Sequence, residues 1–299
     1  MFAKRSDGYA IKVDPYAKSA AHIMSKRSDA LNYAKVKIRC EAIDAFIKEM
    51  KETANVYFTY LDIMIAVIVR LMSMRKGLNR FVNVGRVFQR EYVDIGFVIK
   101  KALKDDAVAT AVKVQFNGSE SIYEIKEAVE KLIEANSGTP LGNTVDKTAA
   151  IISAAPNIIV RMIWWTLKKL DRWNMLPKSI IKTSPFHTSC FITNMKSIKA
   201  DYIYHHCYDF GTTGIFIGMG KEQMEPVVEN DSVVAAKVLT LGVVTDERFC
   251  DGLYFANSTR VMQKLFTDLK LLLEPYHDEK IDAFIERENK KKAKKAKNS

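Results

Sequence analysis

The chain has 299 residues, 48% of them hydrophobic and 27% charged, the composition of a globular protein with enough apolar material for a sizeable core. The net charge of +11 invites a nucleic-acid partner, but six lysines fall in residues 290–299, where there is no acid, leaving +5 over the rest; nucleic-acid binding is not expected. Cys40, Cys190, Cys207 and Cys250 form no C-x-x-C pair, and the polar start Met1–Asp7 is no secretory signal. Reduced thiols and a cytoplasmic location are the expectation. His205, His206 and Cys207 are adjacent, which is poor spacing for converging on one ion, so no metal is expected.

In chain order, residues 1–14 read as an extended arm. Pro15 to Arg27 reads as a short helix capped by Asp14, with Pro15 at its first position. Val36, Ile38 and Cys40 alternate with Lys35, Lys37 and Arg39, a strand of a sheet with one wet face. Glu41 to Lys51 is an amphipathic helix. Val56 to Met74 is the most apolar helix; Asp62 and Arg70 interrupt it, and it reads as a buried core helix rather than a membrane span. Gly77 is its expected C-cap. Strand signals follow at Phe81–Val87, Tyr92–Lys100 and Val108–Phe116, then a helix over Ser121–Ala135 with Ser119 or Ser121 as cap.

A Gly/Pro/Ser loop over 136–140 leads to a predicted helix at Lys147–Ala154. Asn157 to Trp173 is a basic amphipathic helix bracketed by Pro156 and Pro177, and it holds all three tryptophans of the chain. It reads as an element packed on the domain or on a neighbouring subunit. The sharper alternative is docking to a membrane surface or a partner, since Trp and Lys/Arg on opposite faces suit an interface plane. Strands then recur at Ser189–Met195, Ile215–Gly220 and Val233–Val244. Asp251-Gly252 reads as a turn, Gly252 taking positive φ and Asp251 capping a long helix from Leu253. Lys290 to Lys297 reads as a solvated, disordered tail.

Several stretches resemble one family when taken in this order. Asp246-Glu247-Arg248-Phe249-Cys250-Asp251-Gly252, followed by a helix and Leu272-Leu273-Glu274-Pro275, is similar to the C-terminal signature of 2-oxoacid dehydrogenase acyltransferase and chloramphenicol acetyltransferase catalytic domains. That signature reads Asp-His-Arg-x-x-Asp-Gly, so Glu247 stands where the family has its catalytic His. Ser189-Cys190-Phe191-Ile192-Thr193-Asn194 resembles the family segment Gly-Thr-Phe-x-Ile-Ser-Asn, and Ile215–Gly220 resembles the strand after it. The resemblance covers most of residues 15–276 and is interrupted by a helical insertion at about 140–183. It implies one α/β two-layer sandwich, a mixed sheet packed against helices, over residues 1–287, with the Lys-rich tail at 288–299. With the core starting so near residue 1, no lipoyl-bearing domain is expected in this chain.

The resemblance also implies a chemistry: acyl transfer between coenzyme A and a thiol or hydroxyl acceptor, a lipoyl-type thiol among them, in a homotrimer whose sites lie at subunit interfaces. Acyl-CoA is then a substrate. Thr193 falls on the oxyanion-stabilising hydroxyl, Asn194 beside it; Asp251 orders the loop, and Gly252 and Tyr204 fall at the substrate pocket. Glu247 takes the position of the base. An ordinary Glu lies about two pKa units below an ordinary His, hence roughly 3 kcal/mol worse as a base toward a thiol. Burial can close that gap, and strand alternation turns Glu247 away from Asp246 and Arg248. His205 and His206 are the alternative bases. The family's arginine partner for Asp251 is missing from the first helix, and Lys26 or Arg27 is its nearest substitute. A catalytically impaired trimeric scaffold, docking partners through the Trp-rich helix, is the competing reading.

Overall fold

The computed structural model describes residues 4–100, 109–137 and 154–278. The predicted helix at 147–154, apart from Ala154, and the Lys-rich tail lie outside them. The main sheet has six strands: β3 (Leu31–Arg39), β6 (Val93–Lys100), β7 (Ala109–Phe116), β8 (Cys190–Asn194), β9 (Ile215–Glu229) and β10 (Ser232–Asp246). Their spatial order is β3-β10-β9-β8-β6-β7, with β6, β8 and β9 mutually parallel and the remaining pairs antiparallel. A smaller sheet is formed by β1 (Lys4–Arg5), β2 (Gly8–Ala10), β4 (Arg80–Asn83) and β5 (Arg86–Gln89).

Period-two burial decides which side of the large sheet meets the helices. Ile192 of β8, Ile215, Ile217 and Met219 of β9, and Leu239, Leu241 and Val243 of β10 all join the main core. Against them pack α2 (Glu41–Thr53), α3 (Tyr60–Met74), α4 (Ile122–Ser137) and a later helix, Gly252–Thr267. Every residue of α3 from Asp62 to Ser73 is buried, the pattern of a helix enclosed on all sides. The alternate residues of the same strands face the other way. There a smaller cluster of Phe191, Phe216 and Val244 is capped by Cys207. The fold is thus an α/β two-layer sandwich with a mixed sheet, as the sequence implies.

An irregular segment, Ala200–Tyr208, lies on that second face. A Cβ at Gly218 or at Gly242 would collide with the carbonyl oxygen of Ile203, and one at Gly220 would meet the backbone nitrogen of Tyr202. Glycine lets the strap sit directly on the sheet backbone.

Four local expectations change, each for a definite reason. The apolar helix begins at Tyr60, not Val56, because Thr59 and Asp62 form a capping box, so Asp62 starts the helix rather than interrupting it. Gly77 is no C-cap. Its N–H donates to the Tyr254 hydroxyl at 2.9 Å, and the tyrosine ring leaves no room for a side chain there. Phe81–Val87 is a hairpin rather than one strand, turning at Val84 and Gly85, both at positive φ. Gly252 is the first residue of its helix and not a positive-φ turn, while Asp251 caps as expected, accepting from Tyr254 N at 2.8 Å.

Helix α1 (Pro15–Ile23) is capped by Asp14. The basic helix, α5 (Asn157–Arg172), is followed by the short α6 (Lys178–Thr183), which makes Gly252–Thr267 α7. One buried carboxylate fastens α5 to the body. Asp171 accepts from Arg5 Nη2 at 2.9 Å, from the Gly211 N–H at 3.1 Å, and lies 3.2 Å from His187 Nε2. Arg5 also reaches the Asp171 carbonyl and pairs with Asp7. Burial pushes His187 below the usual histidine value, and against the upward pull of burial His187 and then Arg5 hold Asp171 below the usual carboxylate range. Unfolded His187 binds a proton that the folded chain resists, so stability falls as pH drops below about 6.5 and falls further as Asp171 protonates. Asp171→Ala strips Arg5 of one of its two carboxylate partners, leaving Asp7, leaves the Gly211 N–H without its acceptor, and is expected to cost about 3–5 kcal/mol in urea unfolding. Glu52→Ala removes a solvated pair with Lys48 and should cost about 1 kcal/mol or less. Equal losses would contradict the anchoring role of Asp171.

Candidate active site

The sequence candidates separate into two groups on the structure. Thr193 is the last but one residue of β8, on the strap side of the sheet, and pairs in register with Gly218 of β9. The strap crosses there and brings in His205, whose Nε2 lies 2.8 Å from Thr193 Oγ1. The imidazole is stacked on Phe216, centroids 4.4 Å apart. Thr193 and His205 are therefore neighbours in space although twelve residues separate them in sequence. Burial, with His206 adding to it, pushes His205 below the usual histidine value, so the ring is neutral at pH 7. A neutral imidazole holding a hydroxyl at this distance is a proton acceptor or an orienting donor, according to its tautomer.

The other strap candidates have structural partners. Tyr204 is exposed and packs edge-on against Tyr33 and Tyr202. Lys35 sits over the Tyr202 ring at 4.9 Å, so the strap covers part of the face that the lysines of β3 were expected to leave wet. His206 is exposed and contacts Tyr208. Asn194 turns its side-chain oxygen to the Ser197 N–H at 3.2 Å and caps the turn Met195–Ile198.

The Asp246–Gly252 loop shows the alternation expected of it. Asp246 and Arg248 are buried and Glu247 is exposed. Arg248 meets Asp246 through Nε at 2.8 Å and Nη2 at 2.6 Å. Glu247 donates its backbone N–H to Ala30 O at 2.8 Å. Its carboxylate is solvated in the single chain, so the desolvation that a Glu base requires is absent there. Asp251 and Gly252 are exposed at the start of α7. The arginine sought for Asp251 is present but serves a different acid: Arg27 Nε lies 3.4 Å from Asp246 Oδ2. Arg27 also donates to the carbonyls of Tyr208 and Gly211. One buried carboxylate thus ties the motif loop, the chain after α1 and the end of the strap together.

Two clefts lie elsewhere on the described surface. One of about 720 Å³ is bordered by Lys12, Lys76, Arg80 and Arg90. One of about 290 Å³ is bordered by Lys26, Lys168 and Arg172. Thr193, His205 and Glu247 line neither. Among the described residues no group of three or more His, Cys, Asp and Glu side chains is arranged to hold a metal ion, and no helix is long and apolar enough to cross a membrane.

Sequence reasoning had the hydroxyl and the histidine but not their contact. The Gly218-Met219-Gly220 alternation within a strand was the available signal, since glycines at every second position mark a backbone approaching one face. For Arg5 and Asp171, 166 residues apart, there was no such signal.

By sequence, no protein-family model and no curated protein matches the chain. By structure it is similar to the cubic core of a pyruvate dehydrogenase multienzyme complex, at 14% identity and TM-score 0.56, covering 88% of this chain and 94% of that one. It is similar to dihydrolipoamide acetyltransferase of Azotobacter vinelandii, a protein studied for the catalytic roles of a serine, a histidine and an asparagine. There the identity is 15%, the TM-score 0.55, and the coverage 88% and 94%. Chloramphenicol acetyltransferase aligns at 10% identity and TM-score 0.52, covering 87% and 99%. At these identities the likeness shows the fold, which is that of the 2-oxoacid dehydrogenase acyltransferase catalytic domains and chloramphenicol acetyltransferase.

The geometry predicts the behaviour of one imidazole. Followed by NMR, His205 should titrate below the ordinary histidine value of about 6.5, and Thr193→Val should move its titration, since it removes the ring's hydrogen-bond partner. A His205 titrating as a solvated side chain, unmoved by Thr193→Val, would contradict the contact.

Proposed function

We propose that the protein is an acyltransferase, moving an acyl group between coenzyme A and a thiol or hydroxyl acceptor, with Thr193 and His205 as its working pair. The observation that carries this reading is the 2.8 Å contact between Thr193 Oγ1 and His205 Nε2 on a fold of the acyltransferase type. A hydroxyl within hydrogen-bond reach of an imidazole is the arrangement expected of an activated nucleophile or proton relay. Here His205 is the base in place of the residue at position 247. The acceptor's proton passes to Thr193 Oγ1 as the Thr193 proton passes to His205 Nε2, and the acceptor attacks the thioester carbonyl. On collapse of the tetrahedral intermediate the C–S bond breaks and His205 returns the proton, through Thr193, to the departing CoA thiolate. Depression of the His205 pKa weakens the base but favours its deprotonated form at pH 7. Activity should therefore rise with pH through a value below 6.5 and be level above it.

Glu247 has a different part in this reading. Glu247 is exposed in the single chain, and in the homotrimer that this reading includes it serves as a contact for a neighbouring copy rather than as the base. Asp251 holds the start of α7, and a lipoyl-type dithiol is one acceptor that the fold relatives support. A second reading, a non-catalytic trimeric scaffold, is favoured by the position of both clefts away from Thr193.

The readings differ in acyl-CoA binding and in two substitutions. With acetyl-CoA and dihydrolipoamide as probes, His205→Gln should lower kcat/KM by about 10²–10⁴-fold, and Glu247→Gln by less than tenfold. The reverse order would return the base to Glu247. Absence of acyl-CoA binding by calorimetry across a panel of chain lengths would leave the scaffold.

A further inference from the structure

Helix α5 presents a face with a composition of its own. Its inward half, Val160, Ile163, Leu167 and Leu170, is half-buried, and Trp164 is edge-on to Phe210 at 5.4 Å. On the outer half Ile158, Met162 and Trp165 follow at helical spacing with 63%, 64% and 64% of their surface exposed. Large apolar side chains in a contiguous exposed stripe mark an interaction surface. Arg161, Lys168, Lys169 and Arg172 share that half and are exposed. Basic and aromatic groups thus lie side by side rather than on opposite faces, and Lys169 Nζ sits over the Trp165 ring at 5.6 Å. The only acid on the helix, Asp171, is turned inward and consumed by Arg5 and His187. Trp173 and Met175 extend the exposed apolar surface past the helix end, and Lys178 and Lys182 on α6 extend the basic one.

We propose that this face docks the protein on an anionic lipid surface, with α5 lying in the plane of the headgroups. Charge complementarity selects this occupant, since four exposed cations of α5 flank the apolar stripe and the helix itself exposes no acid. Trp is the side chain that favours the headgroup level. Lys and Arg beside it keep their stems against the acyl boundary and their charges among phosphates. The Asp171 anchor fixes the inward half to the body and leaves the outer half for the lipid. At 16 residues and with cations along its outer side the helix rests on the membrane rather than spanning it.

The full chain supplies its own probe, because Trp164, Trp165 and Trp173 are its only tryptophans. Mixed with phosphatidylcholine vesicles containing phosphatidylglycerol, the protein should co-sediment with them and its fluorescence should shift to the blue. Binding should weaken as salt rises from about 0.1 to about 1 M, where the Debye length falls from roughly 10 to 3 Å. Each basic side chain near such a surface is worth about fivefold in affinity. Arg161→Glu/Lys168→Glu/Lys169→Glu should therefore weaken binding at least a hundredfold at low salt, with the thermal transition unchanged. Absence of co-sedimentation and of a blue shift would overturn the proposal, as would equal binding to pure phosphatidylcholine. A fall in oligomer mass for Ile158→Ser/Met162→Ser would also overturn it, assigning the face to a second copy of the chain.

Discussion

The carbonyl of Ile203 rests directly over the backbones of Gly218 and Gly242, and the candidate site depends on that approach. Any side chain at either glycine would lift the strap and carry His205 away from Thr193 and from the Phe216 ring beneath it. The strap is held at its far end by charge. Arg27 bonds the carbonyls of Tyr208 and Gly211 while facing Asp246, which is itself closed by Arg248. The same buried carboxylate that shapes the motif loop thus fixes the segment bearing the histidine. Steric fit at one end and a compensated buried charge at the other position one imidazole; neither needs a regular element to do so.

The fold was largely legible because its signals are periodic. Val36 and Ile38 on β3, and the continuous apolar run of α3, fix which faces are buried, and Asp14 and Asp251 mark helix starts through capping chemistry. The departures arose where one residue type serves two purposes. Asp62 looked like an interruption and is a cap. Gly77 looked like a helix stop and makes room for Tyr254. Gly252 looked like a turn and begins a helix. In the site, the motif loop directed attention to Glu247, whereas the contact that forms is between Thr193 and a histidine on an irregular segment. Irregular backbone has no period to read. Its path is set by tertiary fit at glycines on two different strands.

The basic helix shows how far anchoring and exposure are separable. Asp171, at its C-terminal end, is one of the most densely bonded side chains described, with Arg5, His187 and Gly211 all converging on it. The residues one to three turns earlier on its outer half are open to solvent. A buried ionic node that costs desolvation is retained where it joins the N-terminal arm, the loop at Gly211 and the helix in one register. Locking one half of α5 to the body makes the other half a fixed surface.

The central claim is that Thr193 and His205 act as one unit, and a double-mutant cycle on acyl transfer tests it most directly. The measurement is kcat/KM for Thr193→Val, His205→Gln and the double variant. Groups that work only together are strongly non-additive, so the double variant should be about as slow as the worse single one. Losses that multiply in the double variant would contradict the account, because they would make the 2.8 Å contact incidental to the chemistry.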